Sequence, residues 1–208
     1  VAYSADGKIL FLTNGNYIVR YDTTTTPYTK LGISNYSQDI YDISVSNGET
    51  KYLAVTKKYS SSQSGLTYYA QAYKLKDDGS TTGSNLIPSV SGEYGAYGST
   101  FSNDGTLFAV RGRSKVYIFN TIIPEGSTKW TLVATLDLTA AGTYNTYKAP
   151  LAFSPDGTKL IVGIQNRSLS GYKNYQVFEN VDGTWTDMTT TYLTFNRFYP
   201  RSIKYSPD

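Results

Sequence analysis

The side chains best suited to binding chemistry in this sequence are tyrosines and arginines. Four of the tyrosines, Tyr41, Tyr97, Tyr147 and Tyr199, are spaced roughly fifty residues apart. Tyr presents a rigid amphipathic ring at low entropic cost, and the guanidinium of Arg is a planar fork that matches carboxylates and phosphates. Together they suit sugars, acidic polysaccharides or a protein partner. The candidate partner-binding residues are Tyr41, Tyr97, Arg111, Arg113, Tyr147, Arg167 and Tyr199.

Several kinds of chemistry are excluded by composition. The 208 residues contain no Cys and no His, which removes Ser-His-Asp hydrolysis, Cys-His proteolysis and His-ligated metal chemistry. A formal net charge of +3 without a basic cluster does not indicate a nucleic-acid partner. The longest apolar run, residues 9–12, is too short to cross a membrane. We therefore predict no catalytic residue, cofactor, metal site, nucleic-acid partner or membrane insertion.

A short motif repeats along the whole chain. Its shared serines are Ser4, Ser46, Ser102, Ser154 and Ser206, at spacings of 42, 56, 52 and 52 residues. Most copies continue into Asp-Gly, a pair that supplies a positive φ cheaply and is typical of tight turns. Each of the first four copies is followed by an apolar run, then an alternating run, then a less regular run such as residues 85–87 or 129–133.

Each unit therefore predicts four short strands separated by turns, and no window shows the sustained period of a helix. Four strands in a unit of about fifty residues are typical of one β-propeller blade. An irregular β-sandwich is the alternative fold. We predict a single, partial, all-β propeller over residues 1–208, with blades at about 1–35, 36–91, 92–143 and 144–196. Residues 197–208 would begin a fifth blade.

The blades resemble WD40-like and YVTN-type propeller repeats, which carry Phe-Ser-Pro-Asp-Gly at the end of the innermost strand. Residues 151–157 and 203–208 carry this resemblance best, whereas the Gly-His and Trp-Asp pairs of true WD40 units are absent. A second resemblance is to tandem repeats of tailed-phage virion proteins, through hairpins such as residues 181–185 and 125–130. It implies a virion component.

The resemblance also implies which residues share a face. In such propellers the loops that enter the innermost strand lie on one face with the loops that join the second and third strands. This arrangement places the candidate tyrosines and arginines on one aromatic and cationic face, and the turn aspartates on the other. Tyrosines packing between blades are the alternative. The turn aspartates are expected to bond their own backbone and to be structural.

Four complete units are followed by the first strand of a fifth, which predicts that this sequence is part of a longer propeller. Further blades of the same chain or another subunit are therefore expected partners. Two copies closing as a dimer are the alternative, because exposed blade edges invite pairing with another chain.

The function predicted from sequence is a non-catalytic binding or structural module. It would lie in a virion or on an extracellular surface and mediate attachment to a protein or a surface glycan. One alternative is part of a larger propeller enzyme whose active site lies in the axial channel. The other is an intracellular scaffold of the WD40 type.

Overall fold

The computed structural model describes residues 1–58, 65–91, 95–138, 150–164, 175–189 and 202–206. Within these ranges the chain forms four antiparallel sheets of four strands each, and in every sheet the strands pair in chain order. This confirms the predicted all-β propeller of four-stranded blades. Among the described residues no helix is long and apolar enough to span a membrane.

The bounds of the strands follow the repeat. The first sheet contains β1 (Ala2–Tyr3), β2 (Ile9–Asn14), β3 (Tyr17–Asp22) and β4 (Thr29–Asn35). The second contains β5 (Ile40–Val45), β6 (Tyr52–Lys57), β7 (Ala70–Leu75) and β8 (Thr81–Thr82), with the short helix α1 (Leu66–Tyr69) before β7. The third contains β9 (Gly98–Phe101), β10 (Leu107–Arg111), β11 (Lys115–Asn120) and β12 (Thr131–Asp137). The fourth contains β13 (Leu151–Phe153), β14 (Lys159–Gly163), β15 (Tyr175–Val181) and β16 (Thr184–Asp187).

The first strands of the sheets lie at the centre of the arrangement. Strand β1 lies beside β5, β5 beside β9, and β9 beside β13. The hydroxyls of Ser44 and Ser99 join β5 to β9 through a hydrogen bond of 3.0 Å. Residues 202–206, which were expected to begin a fifth blade, belong to none of the four sheets and lie beside these central strands.

The sheets pack face to face because their middle strands are apolar on both sides. Strand β10 shows the alternation: Phe108 and Val110 pack into the cluster shared with the second sheet, and Ala109 packs into the cluster shared with the fourth. The first and second sheets share a third cluster, in which Phe11 meets Val55. Each interface therefore buries one face of each neighbouring sheet.

The repeated Ser-x-Asp-Gly turn is held by its own side chains. In the fourth sheet the Ser154 hydroxyl donates to Asp156 Oδ1 at 2.5 Å and accepts from the Lys159 amide at 2.8 Å. The amide of Gly157 donates to the Ser154 carbonyl at 2.9 Å, at a φ of 72° that favours glycine. Ser4 and Ser102 make the corresponding bonds in the first and third sheets.

One predicted strand is not formed. Residues 85–87 were expected to pair as the outer strand of the second blade, but the outer strand there is β8. Instead, the Asn85 side-chain oxygen accepts hydrogen bonds from the amides of Ala72 at 2.9 Å and Ile87 at 3.2 Å. The Asn85 side chain therefore accepts the hydrogen bond that the Ala72 amide would otherwise donate to the backbone of a neighbouring strand.

Candidate functional site

A cavity of about 440 Å³ lies at the carboxyl ends of the central strands. Its apolar wall is formed by the ends of β5, β9 and β13 together with Ile203. The polar side chains that line it are Asn47, Thr100, Ser102, Asn103, Ser154, Lys204, Tyr205 and Ser206. Its volume lies within the usual range for small-molecule sites, and so does its combination of apolar surface with a few polar groups.

Five of the eight polar lining residues fall into two classes. The hydroxyls of Ser102 and Ser154 each hold a turn aspartate and a strand amide, so they are committed to the turns. Asn47 and Asn103 are exposed at the rim, and Lys204, also exposed, is the one charged side chain among the described lining residues. The cavity is therefore lined by side-chain amides and an ammonium group, together with the hydroxyl-bearing residues Thr100, Tyr205 and Ser206.

Two turns at the rim are in direct backbone contact. Gly48 belongs to the turn after β5 and Gly105 to the turn after β9. An added Cβ at Gly48 would lie 2.6 Å from the carbonyl oxygen of Asp104, and one at Gly105 would lie 2.7 Å from the Gly48 nitrogen. Two glycines are needed for this approach, which positions Asn47 and Asn103 on neighbouring turns.

Three of the predicted binding residues, Tyr41, Tyr97 and Arg111, lie at the opposite end of the central strands. The rings of Tyr41 and Tyr97 stack at 6.4 Å with an interplanar angle of 26°. The Tyr97 amide donates to the Arg111 carbonyl oxygen at 2.9 Å. Tyr97 precedes β9, whereas the cavity lies at the end of β9, about 13 Å away along an extended strand. The structure thus brings these three residues together, but not at the cavity.

Arg111 and Arg113, the two described arginines among the candidate binding residues, differ in solvent exposure. The whole of Arg111 is 0% exposed, so it offers no surface to an external ligand in this structure. This burial comes from the packing of β10 between two sheets, and the role of Arg111 in partner binding stays a prediction. Arg113 is half-buried and lies in the hairpin that joins β10 to β11. Tyr147, Arg167 and Tyr199 lie outside the described residues.

Sequence reasoning missed the residues that line the cavity, although a signal for them was present. Asn47, Asn103 and Pro155 all occupy the position directly after the motif serine. Because the motif repeats once per blade, equivalent positions in neighbouring blades converge near the axis. Lys204 stands two residues before the fifth serine and had no comparable signal.

Two of the similar solved structures carry the name "putative 6-phosphogluconolactonase". The protein from Bacteroides uniformis has a TM-score of 0.60 and 18% identity, and the one from Bacteroides fragilis 0.58 and 19%. Both matches cover 90% of this chain and 52% of the solved chain. A chain of a mitotic checkpoint complex matches with a TM-score of 0.55 and 18% identity, covering 89% of this chain and 50% of that one. Neither a protein-family model nor a curated protein matches the sequence.

The likeness shows the fold. At these identities it supports a propeller and no repeat family within it. This chain spans about half the length of the three solved structures described above. No link to phage repeats emerges from the matches described above.

The comparisons correct the predicted function. The expectation of a non-catalytic attachment module of a virion or cell surface is wrong, because the two bacterial structures with the highest of these TM-scores are named as enzymes. The names of these structures agree better with the alternative of a larger propeller enzyme than with an attachment module.

Proposed function

We propose that this chain is part of a propeller enzyme and that its axial cavity binds a small, polyhydroxylated, anionic substrate. The observation that carries the proposal is the cavity of about 440 Å³, whose polar rim combines Asn47, Asn103 and Lys204. Amide groups donate and accept hydrogen bonds, which suits sugar hydroxyls, and an ammonium group attracts phosphate as a point charge.

The substrate class that we propose is a phosphorylated sugar lactone. Support comes from the names of the two bacterial structures, which share this fold. In lactone hydrolysis, water adds to the carbonyl carbon, negative charge develops on the carbonyl oxygen, and the ring carbon–oxygen bond then breaks. The proton lost by the added water passes to the ring oxygen, which becomes a hydroxyl of the product acid. The Asn47 and Asn103 amides are our candidates for donors to the carbonyl oxygen, and Lys204 is our candidate for the phosphate.

The role assigned to these residues is binding and orientation. The Ser102 and Ser154 hydroxyls are not proposed as nucleophiles, because each already donates to an aspartate and accepts from a backbone amide. Freeing either hydroxyl for attack would break the turn that shapes the rim.

Calorimetric titration with 6-phosphogluconate, the stable product acid, tests the proposal directly. We expect binding that gluconate without phosphate does not show, and Lys204→Gln should weaken it at least tenfold. Lys76→Gln is the matched control, because Lys76 is an exposed lysine in the β7–β8 turn outside the cavity lining. A pH-stat assay of 6-phosphogluconolactone, corrected for spontaneous hydrolysis, then measures turnover.

The binding titration tests the cavity as the binding site, and the pH-stat assay tests the hydrolysis reaction separately. Binding of 6-phosphogluconate that is lost in Lys204→Gln and kept in Lys76→Gln supports the cavity as the site. Equal binding by both variants, or none by the unaltered chain, would overturn it. Binding without hydrolysis by the complete propeller of which this chain is proposed to be a part would overturn the lactonase assignment.

A further inference from the structure

Two asparagines in this sequence, Asn14 and Asn47, are followed directly by glycine. At such a pair the glycine nitrogen attacks the side-chain amide carbon of the asparagine, because glycine has no Cβ to hinder the approach. The new carbon–nitrogen bond expels ammonia, which carries away the proton of the glycine nitrogen, and leaves a cyclic succinimide. Water then opens the ring at either carbonyl carbon. The products are aspartate and isoaspartate, in which the backbone runs through the former side chain.

Strand pairing protects Asn14 from this reaction. Asn14 is the last residue of β2 and pairs with Tyr17 across the hairpin to β3. In an extended backbone the nitrogen of the following residue is rotated away from the side chain. Ring closure at Asn14 therefore requires the end of the strand to open first.

The turn that contains Asn47 lacks a bond that its counterparts have. In the first, third and fourth sheets the motif serine donates to an aspartate two positions along the chain. The second copy is one residue shorter and has no aspartate there, so the Ser46 hydroxyl donates to the Thr50 carbonyl oxygen at 3.2 Å. Asn47 is exposed and belongs to no strand. Among the described residues, no hydrogen bond holds its side chain or the Gly48 amide.

We propose that Asn47 is a site of spontaneous deamidation at the rim of the axial cavity. The exposed turn leaves the Asn47 side chain and the Gly48 nitrogen able to approach each other, whereas strand geometry keeps the equivalent atoms apart at Asn14. The reaction needs water as its one co-reactant and releases ammonia.

The contact between neighbouring turns also bears on which product forms. An added Cβ at Gly48 would lie 2.6 Å from the carbonyl oxygen of Asp104, so the backbone of this turn has no spare room on that side. Isoaspartate inserts one more carbon into the backbone directly before Gly48, whereas aspartate leaves the backbone unchanged. The fold should therefore favour opening of the ring to aspartate.

Deamidation would change the charge of the cavity. Either product replaces a neutral amide by a carboxylate on a lining that also contains Lys204. The consequence for binding rests on the proposed function: a negative charge at the rim repels a phosphorylated substrate. Modified and unmodified chains should therefore differ in anion binding although they share the same fold.

Peptide mapping by mass spectrometry, after incubation of the folded chain in mildly alkaline buffer, tests the site. Conversion of the amide to a carboxyl group should accumulate at Asn47 at least tenfold faster than at Asn14, the matched control within the same molecule. In concentrated guanidinium chloride the two rates should become equal, because the strand no longer protects Asn14. A rate at Asn47 no higher than at Asn14 in the folded chain, or a difference that persists in denaturant, would overturn the proposal.

Two further measurements test the product and its effect on binding. Labelling by an isoaspartyl methyltransferase should show a smaller isoaspartyl fraction at Asn47 in the folded than in the unfolded chain. Equal fractions would overturn the role assigned to the Gly48 contact. Asn47→Asp should bind 6-phosphogluconate at least tenfold more weakly than the unaltered chain, and equal binding would overturn the effect on the cavity. If the unaltered chain does not bind 6-phosphogluconate, the proposed function fails, while the mass measurement still decides the modification.

Discussion

Gly105 lies directly against Gly48 of the neighbouring sheet. A Cβ at Gly105 would stand 2.7 Å from the Gly48 nitrogen and 2.9 Å from its α-carbon. Backbone atoms cannot rotate away as the end of a long side chain can. The contact therefore couples two turns on the rim of the axial cavity, and any side chain at either position must separate them.

Gly105→Ala should destabilise the protein more than Gly7→Ala does. Both glycines occupy the same place in the motif and have nearly the same φ, 73° and 69°, but nothing lies within 4 Å of an added Cβ at Gly7. Gly7→Ala should cost about 1 kcal/mol through backbone strain alone, and Gly105→Ala at least about 1 kcal/mol more. Urea unfolding of both variants measures the difference. Equal losses would mean that the turns separate without cost.

Acid should weaken the motif turn through Asp156. Hydrogen bonds from the Ser154 hydroxyl, then from the Thr158 amide and hydroxyl, lower the pKa of Asp156 from 3.8 to about 2. Because this pKa is lower in the folded than in the unfolded chain, ionised Asp156 adds stability above about pH 4, and that stability is lost as pH falls towards about 2. The pKa of Asp6 is lowered in the same way, first by Ser4.

Asp156→Asn therefore tests the turn across pH. Its deficit in unfolding free energy, relative to the unaltered chain, should be largest above about pH 5 and should shrink towards about pH 2. Ser154→Ala should show the same trend because it removes the principal donor. Denaturant titrations at several pH values measure both deficits. A deficit that does not change with pH would contradict the assigned role of this carboxylate.

Asn85 should be replaceable by Asp but not by Ala. Its side-chain oxygen accepts from the amides of Ala72 and Ile87, and Ile87 is fully buried. Asn85→Ala leaves both donors without this acceptor and should cost about 1–3 kcal/mol, whereas Asn85→Asp keeps an acceptor oxygen. Thermal unfolding of the two variants decides the matter. If the alanine variant is as stable as the aspartate variant, the backbone of this segment finds another acceptor.

The two tryptophans should differ in both stability and fluorescence. Trp130 is buried and packs edge-on against Tyr52 at 5.1 Å and close to Phe108 at 5.3 Å, whereas Trp185 is half-buried and meets Phe153 at 6.1 Å. Trp130→Ala should cost about 3–5 kcal/mol and Trp185→Ala clearly less. In the Trp185→Phe variant the remaining emission should be blue-shifted relative to Trp130→Phe. Equal emission maxima would place Trp130 in contact with water.

Repeat phasing predicted the architecture because its signals are local. The Ser154 hydroxyl bonds residues two and five positions along the chain, so the motif forms the same turn wherever it occurs. The outer strand of the second blade was predicted incorrectly, since Asn85 diverts the amide of Ala72 from a strand partner. The cavity residues were missed for a different reason: Asn47 and Asn103 gain their role only when separate turns meet.

Composition and periodicity by themselves determined an all-β chain of four-stranded units joined by Ser-x-Asp-Gly turns, because strand alternation and turn bonding involve residues only a few positions apart. Tertiary structure alone decided that Arg111 is buried and that Tyr41 and Tyr97 stack away from the cavity. Those outcomes depend on which sheet packs against which. Such contacts join residues about a blade apart or more, and no local pattern encodes their exposure.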